Sequence, residues 1–233
     1  MSKNAQLTGA FELFNKSLDV VRKNLEVFII LWIVPFLFAV TDSTSYRLDG
    51  SDKNVVDGAS FGGISGLPTY SVVALVTFGV LFFVAAFVVS LIVQAMTFAL
   101  ELEAAKGRKP SLGSLWQAGK KYWLRLIGLF IVIALAVVAG LILLIVPGII
   151  MVRRYFLAPY VMIDQDLGIM DAMRKSAELS KPHSGYIWSV IGVFILLSIT
   201  SVIPVFGPIA SFILVSLYSV APALRYLELK KVT

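Results

Sequence analysis

Cysteine is absent from this 233-residue chain, and histidine occurs only once, at His183. The first absence excludes disulfides, thiolate metal sites and cysteine nucleophiles, and the second leaves no histidine pair for a metal or for acid–base catalysis. Charged residues are also scarce, at 15% against 58% apolar residues. Because about a quarter of the residues of a soluble domain are charged, this composition predicts a membrane protein. We expect no cofactor and no metal.

The apolar residues form three pairs of long stretches. Since a helix of about 20 apolar residues spans a hydrocarbon core of about 30 Å, they predict an all-α, polytopic transmembrane bundle of about six spans. The pairs are Leu25–Val40 with Ser71–Leu100, Ile127–Val146 with Ile149–Ile163, and Tyr186–Ile203 with Ile209–Leu224. Glu26 is the only acidic residue within them. Residues 1–233 therefore read as a single integral membrane domain.

A basic, amphipathic segment precedes each pair, which predicts three cytoplasmic interfacial helices. With the apolar pairs they form three pseudo-repeats, at about 5–100, 110–165 and 166–228. Two of these repeats share the sequence Tyr-x-x-Ala-Pro. It occurs at Tyr155–Pro159, after a turn predicted at Pro147–Gly148, and at Tyr218–Pro222, after Gly207–Pro208.

The distribution of cations predicts the orientation. Sixteen Lys and Arg lie in 1–24, 101–126, 164–186 and the C-terminal end, whereas 41–70 has two beside four Asp. By the positive-inside rule both termini face the cytoplasm, and 41–70 is a flexible extracytoplasmic loop. The net charge of +6 then reflects contact with anionic lipid rather than with nucleic acid. A four-span arrangement, with 149–163 in the interface, remains an alternative.

Two adjacent arginines, Arg153 and Arg154, lie inside an apolar stretch. An Arg at the centre of a membrane helix costs about 2.5–3.5 kcal/mol on insertion scales, so such residues are partnered, snorkel, or face water. The planar guanidinium suits a phosphate because it donates two parallel hydrogen bonds. Three interpretations stay open: a snorkelling anchor, a lipid or anion site, and an intramembrane ion pair.

The amphipathic segments supply a second set of candidates, in which basic and aromatic side chains share a helix that could lie on the inner membrane surface. Ser111 is the predicted N-cap of the second segment. Such a surface could bind anionic lipid, or the helices could simply pack beneath the bundle. The candidates are Trp116, Lys120, Lys121, Trp123, Arg125, Arg174 and Lys175.

The stretch from Ile145 to Leu179 resembles the membrane-domain family named after glycerophosphoryl diester phosphodiesterases, and related uncharacterised bacterial six-span proteins. The family pattern is a Pro-Gly turn, an Arg, an Ala-Pro, an acidic residue, a Gly and an Ala-x-x-x-Ser helix. It falls on Pro147, Gly148, Arg153 or Arg154, Ala158, Pro159, Asp164, Gly168, Ala172 and Ser176. In the phosphodiesterases catalysis belongs to a separate soluble barrel, so the resemblance implies a membrane module without enzymatic activity.

Two functions follow from these observations. The first is a non-catalytic multi-pass protein of the plasma membrane, associated with lipids that include anionic ones, which anchors or scaffolds a separately encoded protein or a second copy of itself. The second is a small transporter or permease for an anionic or amphiphilic substrate, favoured by repeats with proline-interrupted spans.

Overall fold

The computed structural model describes residues 7–33, 35–36, 69–203 and 206–232, and these residues are all-helical, without strands. Five helical stretches within them, counted across short breaks, are long and apolar enough to cross a membrane: Val73–Ala105, Leu112–Leu143, Ile145–Gln165, Ser184–Val202 and Gly207–Val232. The first predicted span, Leu25–Val40, extends beyond the described residues, so the count of six is still a prediction. The predicted loop 41–70 also lies outside them, except that Thr69 and Tyr70 already belong to a helix.

We number the helices in chain order. Between residues 24 and 69 the described helical residues are 25–33, which we call α2, and 35–36. The other helices are α1 (Ala10–Lys23), α3 (Thr69–Ala105), α4 (Leu112–Leu143), α5 (Ile145–Tyr155), α6 (Ala158–Gln165), α7 (Ile169–Ser180), α8 (Ser184–Ile199), α9 (Gly207–Tyr218) and α10 (Ala221–Val232), with a 3₁₀ turn at Thr200–Val202 after α8.

α4 begins at the predicted N-cap: Ser111 Oγ accepts a hydrogen bond from the Ser114 backbone N–H at 3.3 Å. It then runs without a break for 32 residues. The second predicted amphipathic helix is therefore continuous with the apolar span that follows it, and a separate interfacial helix is not confirmed. Because no proline interrupts residues 112–143, the amphipathic segment and the apolar span continue as one helix.

α4 and α5 form a tight hairpin joined by Leu144 alone. The turn thus precedes the predicted Pro147–Gly148 turn, and Pro147 lies in the first turn of α5, where a missing N–H costs nothing. The helices meet at Gly140 and Gly148, where a Cβ on Gly140 would come within 2.9 Å of the Gly148 Cα. Only glycine allows this approach.

The core lies toward one end of the bundle, where α6, α7 and α10 pack against the last part of α3 and the middle of α4. Along α3, every side chain from 73 to 87 is exposed, whereas Ala95, Ala99 and Leu102 are buried. The two parts of this helix therefore have different surroundings. The exposed part matches a helix that faces lipid, and the buried part joins the core.

A cavity between two interrupted helices

At each of the two Tyr-x-x-Ala-Pro sequences one helix ends and the next begins. α5 ends at Tyr155 and α6 begins at Ala158, while α9 ends at Tyr218 and α10 begins at Ala221. In each case the proline is near the start of the new helix, where it needs no N–H, and it cannot donate to a carbonyl four residues back. The fourth predicted stretch, Ile149–Ile163, is accordingly two helices rather than one.

Each interruption is stabilised by a buried serine from another helix. Ser176 Oγ on α7 donates to the Arg154 carbonyl at 2.7 Å, and Ser180 Oγ donates to the same oxygen at 3.3 Å. Ser17 Oγ on α1 donates to the Leu217 carbonyl at 2.8 Å. Arg154 and Leu217 each precede the tyrosine of the motif. These three hydroxyls thus satisfy two equivalent carbonyls, one at the end of α5 and one at the end of α9.

A cavity of about 390 Å³ lies where the two interruptions meet. Both contribute to its wall, and the rest comes from α3, α4 and α8. The lining is predominantly apolar and consists of Phe98, Glu101, Phe130, Ile133, Val137, Val152, Tyr155, Phe156, Pro159, Tyr160, Phe194, Ser219 and Pro222. An apolar cavity of this size with a few polar groups is the ordinary form of a small-molecule site.

Among the described residues that line the cavity, Glu101 is the only charged one, and it is 5% exposed. The Tyr160 hydroxyl donates to Glu101 Oε2 at 2.6 Å, and the Tyr160 ring meets the edge of Phe98. The Ser219 hydroxyl also interacts with the carboxylate, although it does not reach ordinary hydrogen-bond geometry. Within the part of the chain that the structure describes, Glu101 makes no ion pair.

A second acidic residue, Asp164, joins three helices. Its Oδ1 pairs with Lys106 Nζ at 2.8 Å, just beyond α3, and its Oδ2 pairs with Lys230 Nζ on α10 at 2.6 Å. The Tyr226 hydroxyl donates to Oδ2 at 2.6 Å. Burial alone would lower the pKa of Lys106, but its bonds to Asp164 and Glu103 raise it. This cluster is a structural clamp near the interruption of α5.

Asp166 forms a similar cluster at the surface. It adopts a left-handed backbone, with φ of 51°, and accepts hydrogen bonds from Lys121 at 2.8 Å, Arg125 at 2.8 Å and Tyr122 at 3.1 Å. The hydrogen bond from Lys121 is the main cause that lowers the pKa of Asp166. Two of the predicted interfacial cations are thus engaged with this carboxylate.

The other interfacial candidates are dispersed. Lys120 lies over the exposed Trp116 ring, 5.4 Å from its centroid. Trp123 packs against the core, Lys175 pairs with Glu178 at 3.2 Å, and Arg174 is exposed. Lipid binding by this surface stays a prediction.

Arg153 and Arg154 lie in the last turn of α5 and are half-buried. Val152 and Tyr155 on α5 line the cavity, as does Phe156 directly after it, and neither arginine is among the lining residues. Successive helix residues point about 100° apart, which places the pair on other sides of α5. Their guanidinium groups make no ion pair with any residue that the structure describes. The anion-binding hypothesis is untested.

Sequence reasoning missed Glu101. It places the end of the second span at Leu100 and so treats Glu101 as the start of a polar segment. The structure continues the helix to Ala105, and Leu100, Leu102 and Ala104 are buried as well. Nothing local marks Glu101 as buried, because glutamate is rarely buried.

No family model, curated protein or solved structure matches the chain. The fold and the site therefore define its class on their own. It is an all-helical protein with at least five helices suited to a membrane.

Proposed function

We propose that the protein is a non-catalytic, multi-pass membrane protein that holds an amphiphilic molecule in the cavity between its two interrupted helices. The observation that carries this proposal is the composition of the lining, which is apolar apart from Glu101, Ser219 and two tyrosine hydroxyls. Such a lining matches the apolar body of a lipid-like molecule, and the few polar groups would fix its orientation.

The position of the cavity supports access from the bilayer. Phe130 on α4 and Val152 on α5 both line it, yet they are 42% and 40% exposed at the surface of the bundle. The wall of the cavity is therefore continuous with side chains that a lipid would touch. An amphiphile could enter sideways without crossing water.

Transport of an amphiphile is a second candidate. Discontinuous membrane helices that meet at a binding site are a recurrent feature of transporters, and both interruptions contribute to this cavity. The described lining favours an amphiphilic substrate over an anionic one, because it offers an anion no lysine, arginine or histidine as a partner. Uptake of a labelled amphiphile into proteoliposomes separates transport from simple binding.

The proposal also covers the membrane, the topology and the partners of the protein. We place the protein in the cell membrane with both termini in the cytoplasm, bound to lipids and to a separately encoded protein or a second copy. The resemblance to the phosphodiesterase membrane domains is part of this proposal. Its support is that two residues of the family pattern have structural roles: Asp164 clamps three helices, and Ser176 stabilises the end of α5.

Filling the cavity tests the proposal. Val137 lines it, whereas its neighbour Val138 is 52% exposed and does not. We expect Val137→Trp to reduce the lipid that remains bound to protein released from nanodiscs, measured by native mass spectrometry. The Val138→Trp protein should retain the wild-type amount. Equal retention in both variants and the wild type would refute an occupied cavity.

A further inference from the structure

The cavity combines one buried carboxylate with a ring of aromatic side chains. Six of its lining residues are aromatic: Phe98, Phe130, Tyr155, Phe156, Tyr160 and Phe194. The face of an aromatic ring carries partial negative charge and attracts cations, and aromatic cages of this kind bind quaternary ammonium groups. The aromatic residues and the carboxylate therefore favour the same sign of charge in the ligand.

The described part of the chain supplies no cation to this space. No lysine, arginine or histidine is among the described lining residues, and the hydrogen bond to Glu101 comes from a neutral phenol. The next cation along the chain after α3, Lys106, pairs with Asp164 and Glu103 instead. A carboxylate that is buried without a counter-ion takes up a proton rather than remain an unpaired charge. A cationic ligand would supply the counter-ion and stabilise the ionised form of Glu101.

We propose that the cavity recognises an ammonium group on an apolar body, with Glu101 as its counter-ion and the aromatic rings around its methyl or methylene groups. This inference rests on the proposed function and adds the chemical class of the ligand. The ammonium group belongs either to a zwitterionic lipid headgroup, such as that of phosphatidylethanolamine, or to a free hydrophobic amine. Both sources present the same chemistry to Glu101.

The first experiment compares a cation with a neutral molecule of the same shape. Isothermal titration calorimetry in dodecyl maltoside measures binding of benzyltrimethylammonium and of neopentylbenzene, with protein-free micelles as the reference. The wild-type protein should bind the cation about tenfold more tightly than the neutral isostere, since cation–π attraction and the carboxylate act together. Equal affinity for the two probes would overturn the proposal without any mutation.

Variants locate the effect at the carboxylate. Glu101→Gln keeps the shape of the side chain and removes its charge, so affinity for benzyltrimethylammonium should fall about tenfold while affinity for neopentylbenzene stays the same. The matched control is Glu103→Gln, because Glu103 lies on the same helix but outside the cavity lining and pairs with Lys106 and Arg108. Loss of affinity in both variants alike, or in neither, would overturn the role of Glu101.

Native mass spectrometry then distinguishes the two sources. In nanodiscs with equal phosphatidylethanolamine and phosphatidylglycerol, selective retention of phosphatidylethanolamine by the wild type but not by Glu101→Gln identifies a lipid headgroup. Binding of benzyltrimethylammonium without that selectivity identifies a free amine. If the protein retains lipid without selectivity and ignores the cation, the ammonium proposal fails while the lipid cavity stands. If Val137→Trp also changes nothing, both proposals fail.

Discussion

Asp164 and Asp166 offer a direct test of how burial changes the contribution of an ion pair to the stability of the fold. Each carboxylate accepts hydrogen bonds from two cations and one tyrosine, and they lie two residues apart. The difference is exposure: the side chain of Asp164 is 6% exposed and that of Asp166 is 51% exposed. Replacing either with asparagine removes the charge and leaves the shape.

The two substitutions should lower the free energy of unfolding by different amounts, because water already hydrates the ionic groups around Asp166 but not the buried carboxylate of Asp164. Removing one partner of a fully buried ion pair costs about 3–5 kcal/mol. At Asp164 the partners Lys106 and Lys230 are 21% and 47% exposed. Because water can hydrate them in part once the carboxylate is gone, we expect Asp164→Asn to lower the free energy of unfolding by about 2 kcal/mol. At Asp166 both cations are already hydrated and screened, so the loss should be small.

Thermal unfolding in detergent measures the difference. For a chain of this size about 2–4 °C corresponds to 1 kcal/mol, so Asp164→Asn should lower the Tm by about 4–8 °C, and Asp166→Asn by clearly less. Asparagine tolerates the left-handed backbone at position 166, which makes that variant a fair control. Equal Tm shifts in the two variants would refute the argument that burial decides the strength of these clusters.

Two further predictions concern neighbouring features. The raised pKa of Lys106 means that its charge stabilises the fold below the unfolded value of about 10.5 and is lost as the pH rises through the higher folded value. The Tm gap between wild type and Lys106→Met should therefore stay constant from about pH 7 to 10 and close only above about 10.5; closure in neutral solution would contradict the pairing. Gly140→Ala places a Cβ 2.9 Å from the backbone of Gly148 and should destabilise the hairpin by about 1–3 kcal/mol. Gly79→Ala meets nothing within 4 Å and should be neutral or stabilising; Tm shifts of the same sign would contradict the close approach.

The sequence predicts those parts of the fold that depend on local physical chemistry. Apolar length identifies the membrane helices, and the Ser111 cap is confirmed because a serine before a helix satisfies an N–H that has no other partner. Helix boundaries in the apolar region are harder to predict from the sequence. The one-residue turn at Leu144 has no signal in its own side chain, since it depends on how closely Gly140 and Gly148 approach each other.

The site is harder to predict than the fold because it depends on contacts between distant segments. Glu101 and Tyr160 are 59 residues apart in the sequence, and nothing local to either residue indicates the other. The distribution of charges along the sequence indicates only that Glu101 is an acidic residue near the end of a predicted span. Its burial follows only when α6 begins at Ala158 and brings Tyr160 against Phe98.

The repeated Tyr-x-x-Ala-Pro sequence shows how a local pattern can indicate a distant site. A helix that ends just before such a proline leaves its last carbonyls without intrahelical donors, and a buried carbonyl without a donor is costly. Ser176 and Ser17 supply those donors from α7 and α1, so each interruption brings an amphipathic helix against the bundle. The same interruptions separate the helices enough to leave a cavity between Tyr155 and Ser219. The feature that the sequence repeats therefore lies at the cavity, and Glu101 is the single charged residue among the described residues that line it.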